Sequence, residues 1–170
     1  MSPRLRRFAV TAVCCALCGV SAVAAGSASA ESTTVPAEYV SAAKSSALEC
    51  DQEVVDATLV VTQVRSASKF DAQAVSAAGA QGPAQLMPST FAVYGADDDG
   101  SGVASPFDVV DAVAALTRLD CSIARELGAR GHAVDPVSVI AAVEGGLDQV
   151  DHPTARDIAD RVWANRVVVK

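Results

Sequence analysis

Residues 63–91, QVRSASKFDAQAVSAAGAQGPAQLMPSTF, decide how this chain is read. Upstream of them, and running into them, TLVVTQV (58–64) is rich in β-branched residues and has strong strand preference. The same residues also place Val55, Leu59, Thr62 and Ser66 on one helical face, so local evidence leaves helix and strand open. From Lys69 to Pro88 the chain is rich in Ala, Gly, Ser and Gln without a clear period. That texture belongs to a compact irregular segment whose backbone comes close to something else. Pro88 to Tyr94 then reads as a short helix stopped by Gly95.

Outward from this stretch the patterning is helical. Pro36 to Leu48 forms a first helix, with Tyr39, Val40, Ala43 and Ala47 on one face. Asp51 is placed to cap a second, with Glu53 in its first turn, where negative charge meets the helix dipole. After an acidic loop, ADDDGSGVASPF (96–107), Asp108 caps a long helix. Val109, Val113, Leu116, Leu119, Ile123 and Leu127 recur along it at spacings of three and four, and Gly128 and Gly131 end it. Pro136 to Val143 reads as a buried apolar helix. Thr154 to Val167 reads as an amphipathic closing helix with the single tryptophan, Trp163. No internal repeat is present, and the expected fold class is mainly α.

The N-terminus has the layout of an export signal. Arg4, Arg6 and Arg7 precede an uncharged, mostly apolar run over residues 8–25, and Ala28-Ser29-Ala30 offers a small-x-small cleavage pattern. The expected organisation is a signal peptide at 1–30, a disordered polar lead at 31–35 and one domain at 36–170. The run is also long enough for an uncleaved anchor, although no basic stop-transfer cluster follows it. Cleavage before Glu31 makes the protein secreted, with no membrane attachment afterwards. It leaves 140 residues, enough for one core. Cleavage removes three of the thirteen basic residues and none of the twenty acidic ones, moving the formal net charge from −7 to −10. A chain this acidic has no electrostatic footprint for nucleic acid or anionic lipid.

Three of the five cysteines lie within residues 1–30. Cys50 and Cys121 remain, an even pair in an oxidising compartment, where a disulfide is expected; two buried thiols are the alternative. Zinc is not expected, because His132 and His152 stand far apart and no C-x-x-C lies beyond residue 30.

The segment from Ser68 resembles the first signature of the soluble-lytic-transglycosylase domain, whose pattern is E-S-G-F-N-P-x-A-x-S-P-x-G-A-x-G-L-M-Q-x-M-P. Ser68, Phe70, Ala74, Ser76, Gly79, Ala80, Gly82, Gln85, Met87 and Pro88 match in fixed order without a gap. The resemblance extends over about residues 35–150, including VPAEY at 35–39 and the placing of the two cysteines, and is to small secreted actinobacterial members. It implies a single lysozyme-like (lytic transglycosylase) domain, action on the glycan strands of peptidoglycan at the cell wall, and helix for TLVVTQV. It further implies that Ser76, Gln85 and Met87 line sugar subsites.

Two departures bear on activity. The family's catalytic glutamate is replaced by Ala67, and a second glutamate common two residues earlier is Arg65. The late motif, A-Y-N-A-G in the family, reads Ala142-Val143-Glu144-Gly145-Gly146. Family chemistry uses one glutamate as acid on the glycosidic oxygen and then as base on the sugar 6-hydroxyl, giving an anhydro product. A methyl group does neither, and loss of an acid–base group costs on the order of 10² to 10⁴ in rate. The expectation is a catalytically impaired glycan-binding homologue. The alternatives are an active enzyme with Glu144 as relocated acid, and a protein–protein interaction module that engages cell-wall hydrolases or other secreted proteins. Lys69 replaces a family glycine and puts a cation beside the vacated acid position, where it can obstruct the cleft or meet peptidoglycan carboxylates.

The acidic loop fits an EF-hand-type register with Asp97, Asp99, Ser101, Gly102, Val103 and Asp108 at positions one, three, five, six, seven and twelve. Short oxygen ligands at alternate positions and a glycine at the sharp turn point to a weak calcium site. Asp108 stands where a bidentate glutamate is usual.

Overall fold

A computed structural model describes residues 34–170. The expected signal peptide lies outside the described residues. Of the lead at 31–35, Val35 packs against the core.

The architecture is mainly α. Six helices follow in order: α1 (Ala37–Ala47), α2 (Ala57–Ser68), α3 (Pro88–Tyr94), α4 (Val109–Ala129), α5 (Pro136–Gly145) and α6 (Pro153–Ala164), with a 3₁₀ turn at Leu147–Gln149. Among the described residues the only β pairing is two isolated bridges, Val75 with Gln81 and Gln81 with Leu86.

TLVVTQV is helix, and burial explains why. Leu59, Val60, Val61, Thr62, Gln63 and Val64 are all buried, so the middle of α2 is covered on every side, while Ser66 and Ala67 in its last turn stay exposed. A helix segment buried all round belongs in the middle of a core, and that packing outweighs β preference. Asp56, not Asp51, caps it, accepting from the Leu59 N–H at 2.8 Å. Asp51 instead pairs with Arg125 at 2.8 Å beside the Cys50–Cys121 disulfide. That crosslink joins the segment before α2 to α4. Arg125, and secondarily Gln52, hold the Asp51 carboxyl below the usual carboxylate range.

The helix α4 is the long spine, capped by Asp108 as its sequence indicates. It packs along α1, where the Ser46 and Thr117 hydroxyls meet at 2.8 Å inside an otherwise apolar contact. The chain leaves α2 through two consecutive residues with left-handed backbone, Lys69 (φ 57°) and Phe70 (φ 70°). Such conformations are unfavourable for residues with a Cβ. Tyr39 holds this corner, donating its hydroxyl to the Phe70 carbonyl at 2.9 Å and packing its ring against Phe70. Burial first, then the charges of Glu38 and Asp71, push the Tyr39 phenol up to about 12.

The closing helix is shorter than the sequence indicates, ending at Ala164. The residues after it run extended along α2, where the Thr62 and Thr58 hydroxyls accept from the Val167 and Val169 N–H groups at 3.1 and 3.2 Å.

Candidate glycan cleft

The Ala/Gly-rich segment folds back on itself through the two bridges, and its shape depends on one glycine. Gly82 has φ +70°, and a Cβ there would stand 1.6 Å from the Pro106 carbonyl oxygen. Only glycine lets the segment close against the loop before α4. Ser76 is engaged within this fold, its Oγ accepting from the Ala80 N–H at 3.0 Å. Gln85 (φ 50°) donates its side-chain N–H groups to the Ala74 and Gly82 carbonyls at 3.1 and 2.8 Å. Among the described residues its Oε1 has no hydrogen-bond partner.

This packing leaves a cavity of about 440 Å³ between the end of α2, the Gly82–Met87 turn, α5 and α6. That volume is in the range of small-ligand pockets. Ala67, Gln85, Met87 and Glu144 all line it, with Leu86 and Leu119 supplying apolar surface. Met87 is 42% exposed, so its thioether is presented to the cleft rather than lost in the core. Of the expected sugar contacts, Gln85 and Met87 are in the cleft, whereas Ser76 is not among its lining residues. Glu144, at the end of α5, shares the cavity with Ala67 although the two are far apart in sequence.

The buried polar pair Gln63 and Asp120 lies at the α2–α4 contact, and sequence patterning does not reveal it. Gln63 Nε2 donates to Asp120 Oδ2 at 2.6 Å, and Asp120 Oδ1 is buried without a partner. Burial pushes the Asp120 carboxyl up to about 8, against the opposing effect of the Gln63 hydrogen bond.

The acidic loop departs from the EF-hand register at its last position. Asp108 Oδ1 accepts from the Val110 and Asp111 N–H groups at 2.8 and 3.2 Å, capping α4. Asp111 comes in its place. Carboxylate oxygens of Asp97, Asp99 and Asp111 lie within 4.8 Å of one another. Asp111 is fully buried and also accepts from the Asp98 and Ser105 N–H groups at 2.7 and 2.9 Å, so it fixes both arms of the loop. Ser101, through its N–H and then its hydroxyl, holds the Asp99 carboxyl below the usual range. The sequence signal for Asp111 is weak, because an aspartate in the first turn of a helix already has a reason to be there.

Comparison with curated proteins finds no match. Residues 50–119 match the family model described as the transglycosylase SLT domain. The match takes in α2, the turn segment, α3, the acidic loop and half of α4, and ends before Glu144. Over that span the chain is similar to the transglycosylase SLT domain, and the helical architecture is the mainly α, lysozyme-like one that its signature segment implies.

Proposed function

We propose that the chain binds peptidoglycan glycan strands in the Ala67 cleft and is catalytically impaired there. The observation that carries this reading is the position of Ala67. It is exposed in the cleft beside Gln85 and Met87, where the family signature puts its catalytic glutamate. Cleavage needs a proton delivered to the leaving oxygen as positive charge grows at the anomeric carbon. At position 67 there is no proton to deliver. Binding is less affected. The free Gln85 Oε1 is an acceptor for a sugar hydroxyl or N-acetyl N–H, and Met87 offers a soft apolar face.

A second reading rests on Glu144, a carboxylate lining the same cavity. In that reading Glu144 supplies the proton and the protein is an active lytic transglycosylase or muramidase. One paired assay separates the two: pull-down on insoluble peptidoglycan beside release of soluble anhydromuropeptides, for wild type, Ala67→Glu and Glu144→Gln. The expected result is wall binding without release by wild type, and release by Ala67→Glu. Release by wild type that disappears in Glu144→Gln overturns the impaired reading. No binding and no release by any variant overturns the glycan reading altogether.

The proposal places the protein outside the cytoplasm, in line with the signal-like residues 1–30 and with the Cys50–Cys121 disulfide. Among the described residues no helix is long and apolar enough to cross a membrane. Calcium is part of the proposal: Asp97, Asp99 and Asp111 would hold it, with Ser101 and the Val103 carbonyl as neighbouring oxygens. Its contribution would be to fix the loop between α3 and α4, away from any chemical step.

A further inference from the structure

A second cavity, of about 390 Å³, adjoins the cleft; Ser66, Ile158 and Val162 line both. Arg65, Lys69 and Arg161 contribute to its wall, with Asn165 as a further polar group and no carboxylate among the lining residues. Arg161 pairs with Asp157 at 2.9 Å. Three cations around one cavity are a local reversal in a chain of formal net charge −7. Among the described residues the Arg65 and Lys69 side chains make no ion pair or hydrogen bond.

Cations in the last turn of a helix complement its dipole, which is a sufficient reason for Arg65. Arg161 lies in the last turn of α6, where the same rule holds, but the rule does not require two helix ends to meet at one cavity. Lys69 is the C-cap of α2, so the dipole accommodates its charge too, but it stands in left-handed backbone (φ 57°), where glycine would be favoured and no cation is required. We propose that Arg65, Lys69 and Arg161 form an anion pocket that takes the carboxylates of the peptide stems branching from a glycan strand held in the adjoining cleft. This rests on the glycan reading above. The sugars themselves are neutral, so a pocket of this charge beside a sugar cleft selects for what the sugars carry. The guanidinium fork matches a carboxylate bidentately, and the flexible Lys69 ammonium can follow it.

The test is equilibrium binding of the whole protein to three probes: soluble glycan strands bearing peptides, the same strands stripped by an amidase with the lactyl carboxylates so exposed converted to simple amides, and free stem peptide. Wild type is compared with Arg65→Glu/Lys69→Glu and with the milder Arg65→Gln/Lys69→Gln, each checked for native helicity. The expected result is a preference of about tenfold for peptide-bearing over stripped strands at low salt, shrinking as salt rises. Both variants lose the preference and keep wild-type affinity for stripped strands. Equal affinity of wild type for both strands, or an undiminished preference in the variants, overturns the pocket and leaves the cleft reading standing. Binding of free peptide by wild type alone, with no binding of stripped strands, supports the pocket and sinks the cleft reading. Stronger competition by a phosphate polymer than by stem peptide overturns the assignment to carboxylates, and no binding of any probe overturns both.

Discussion

Gln63 donates to Asp120 at 2.6 Å within the α2–α4 contact, and Gln63 stands one helical turn before Ala67 on α2. Ala67 is therefore mounted on a helix held to the spine of the fold by a buried carboxyl group. Burial pushes that group up to about 8, and no charged neighbour contributes to the shift.

The sign of the consequence follows from linkage. The unfolded chain releases the Asp120 proton at about pH 4, while the folded chain keeps it to about pH 8. The stabilisation is complete below about pH 4. Between the two values the folded state holds one proton more, so stability falls with rising pH by about 1.4 kcal/mol per unit from this group. Above about pH 8 the contribution is flat again. Urea denaturation across this window should show the slope in wild type and lose that component in Asp120→Asn, which keeps a partner for Gln63. An identical pH profile in the two proteins would show that Asp120 is not protonated in the fold.

The Cys50–Cys121 disulfide closes a loop spanning 71 residues, which contains α2, the turn segment, α3 and the acidic loop. On the chain-entropy model, removing it costs about 4 kcal/mol. The Cys50→Ala/Cys121→Ala protein should unfold at correspondingly lower urea, with an unchanged fold at zero denaturant. A loss below about 1 kcal/mol would mean that α1–α4 packing already restrains the unfolded chain.

Much of this fold is legible in the sequence, and the misses share a cause. The Asp108 cap, the span of α3 and the core face of α4 follow from local pattern, because each is decided within a turn or two of chain. The start of α2 is not: Asp51 and Asp56 are equally good caps, and the choice falls to Asp56 because Asp51 meets Arg125, 74 residues away. Residues 165–167 look like a continued helix until Thr62 and Thr58 appear as hydrogen-bond acceptors for the Val167 and Val169 N–H groups. The cleft divides in the same way. Ala67, Gln85 and Met87 lie in one signature and are legible together, and Glu144 is legible through the late motif, whereas Asp120 and the Arg161 side of the basic pocket arrive from other elements with no signature. Asp111 escapes a sequence reading because the twelve-residue register ends at Asp108.

Calcium should stabilise the protein through the acidic loop. At about 10 mM calcium and an affinity of roughly 10⁻⁴ to 10⁻³ M, the gain is about 1.4 to 2.7 kcal/mol, read as a rise in Tm that a chelator reverses. Asp97→Asn should abolish the rise with little change in the calcium-free Tm. Asp111→Asn should lower the calcium-free Tm as well, since Asp111 also fixes the Asp98 and Ser105 N–H groups. A calcium response unchanged in Asp97→Asn would place the ion elsewhere.

Lys69 offers a separation of stability from binding at a single position. Its left-handed backbone (φ 57°) ends α2, its own N–H donating to the Arg65 carbonyl at 3.0 Å. Glycine adopts this conformation without the Cβ penalty but adds freedom to the unfolded chain, so Lys69→Gly should gain about 0.5 to 1 kcal/mol net. If Lys69 served only the helix dipole, its removal would cost about a few tenths of a kcal/mol and leave binding untouched. If it serves the anion pocket, the same variant becomes more stable while its preference for peptide-bearing strands weakens. Opposite movement of urea midpoint and strand preference is the expected pair of results. A gain in stability with the preference intact would assign the pocket's charge to Arg65 and Arg161 alone.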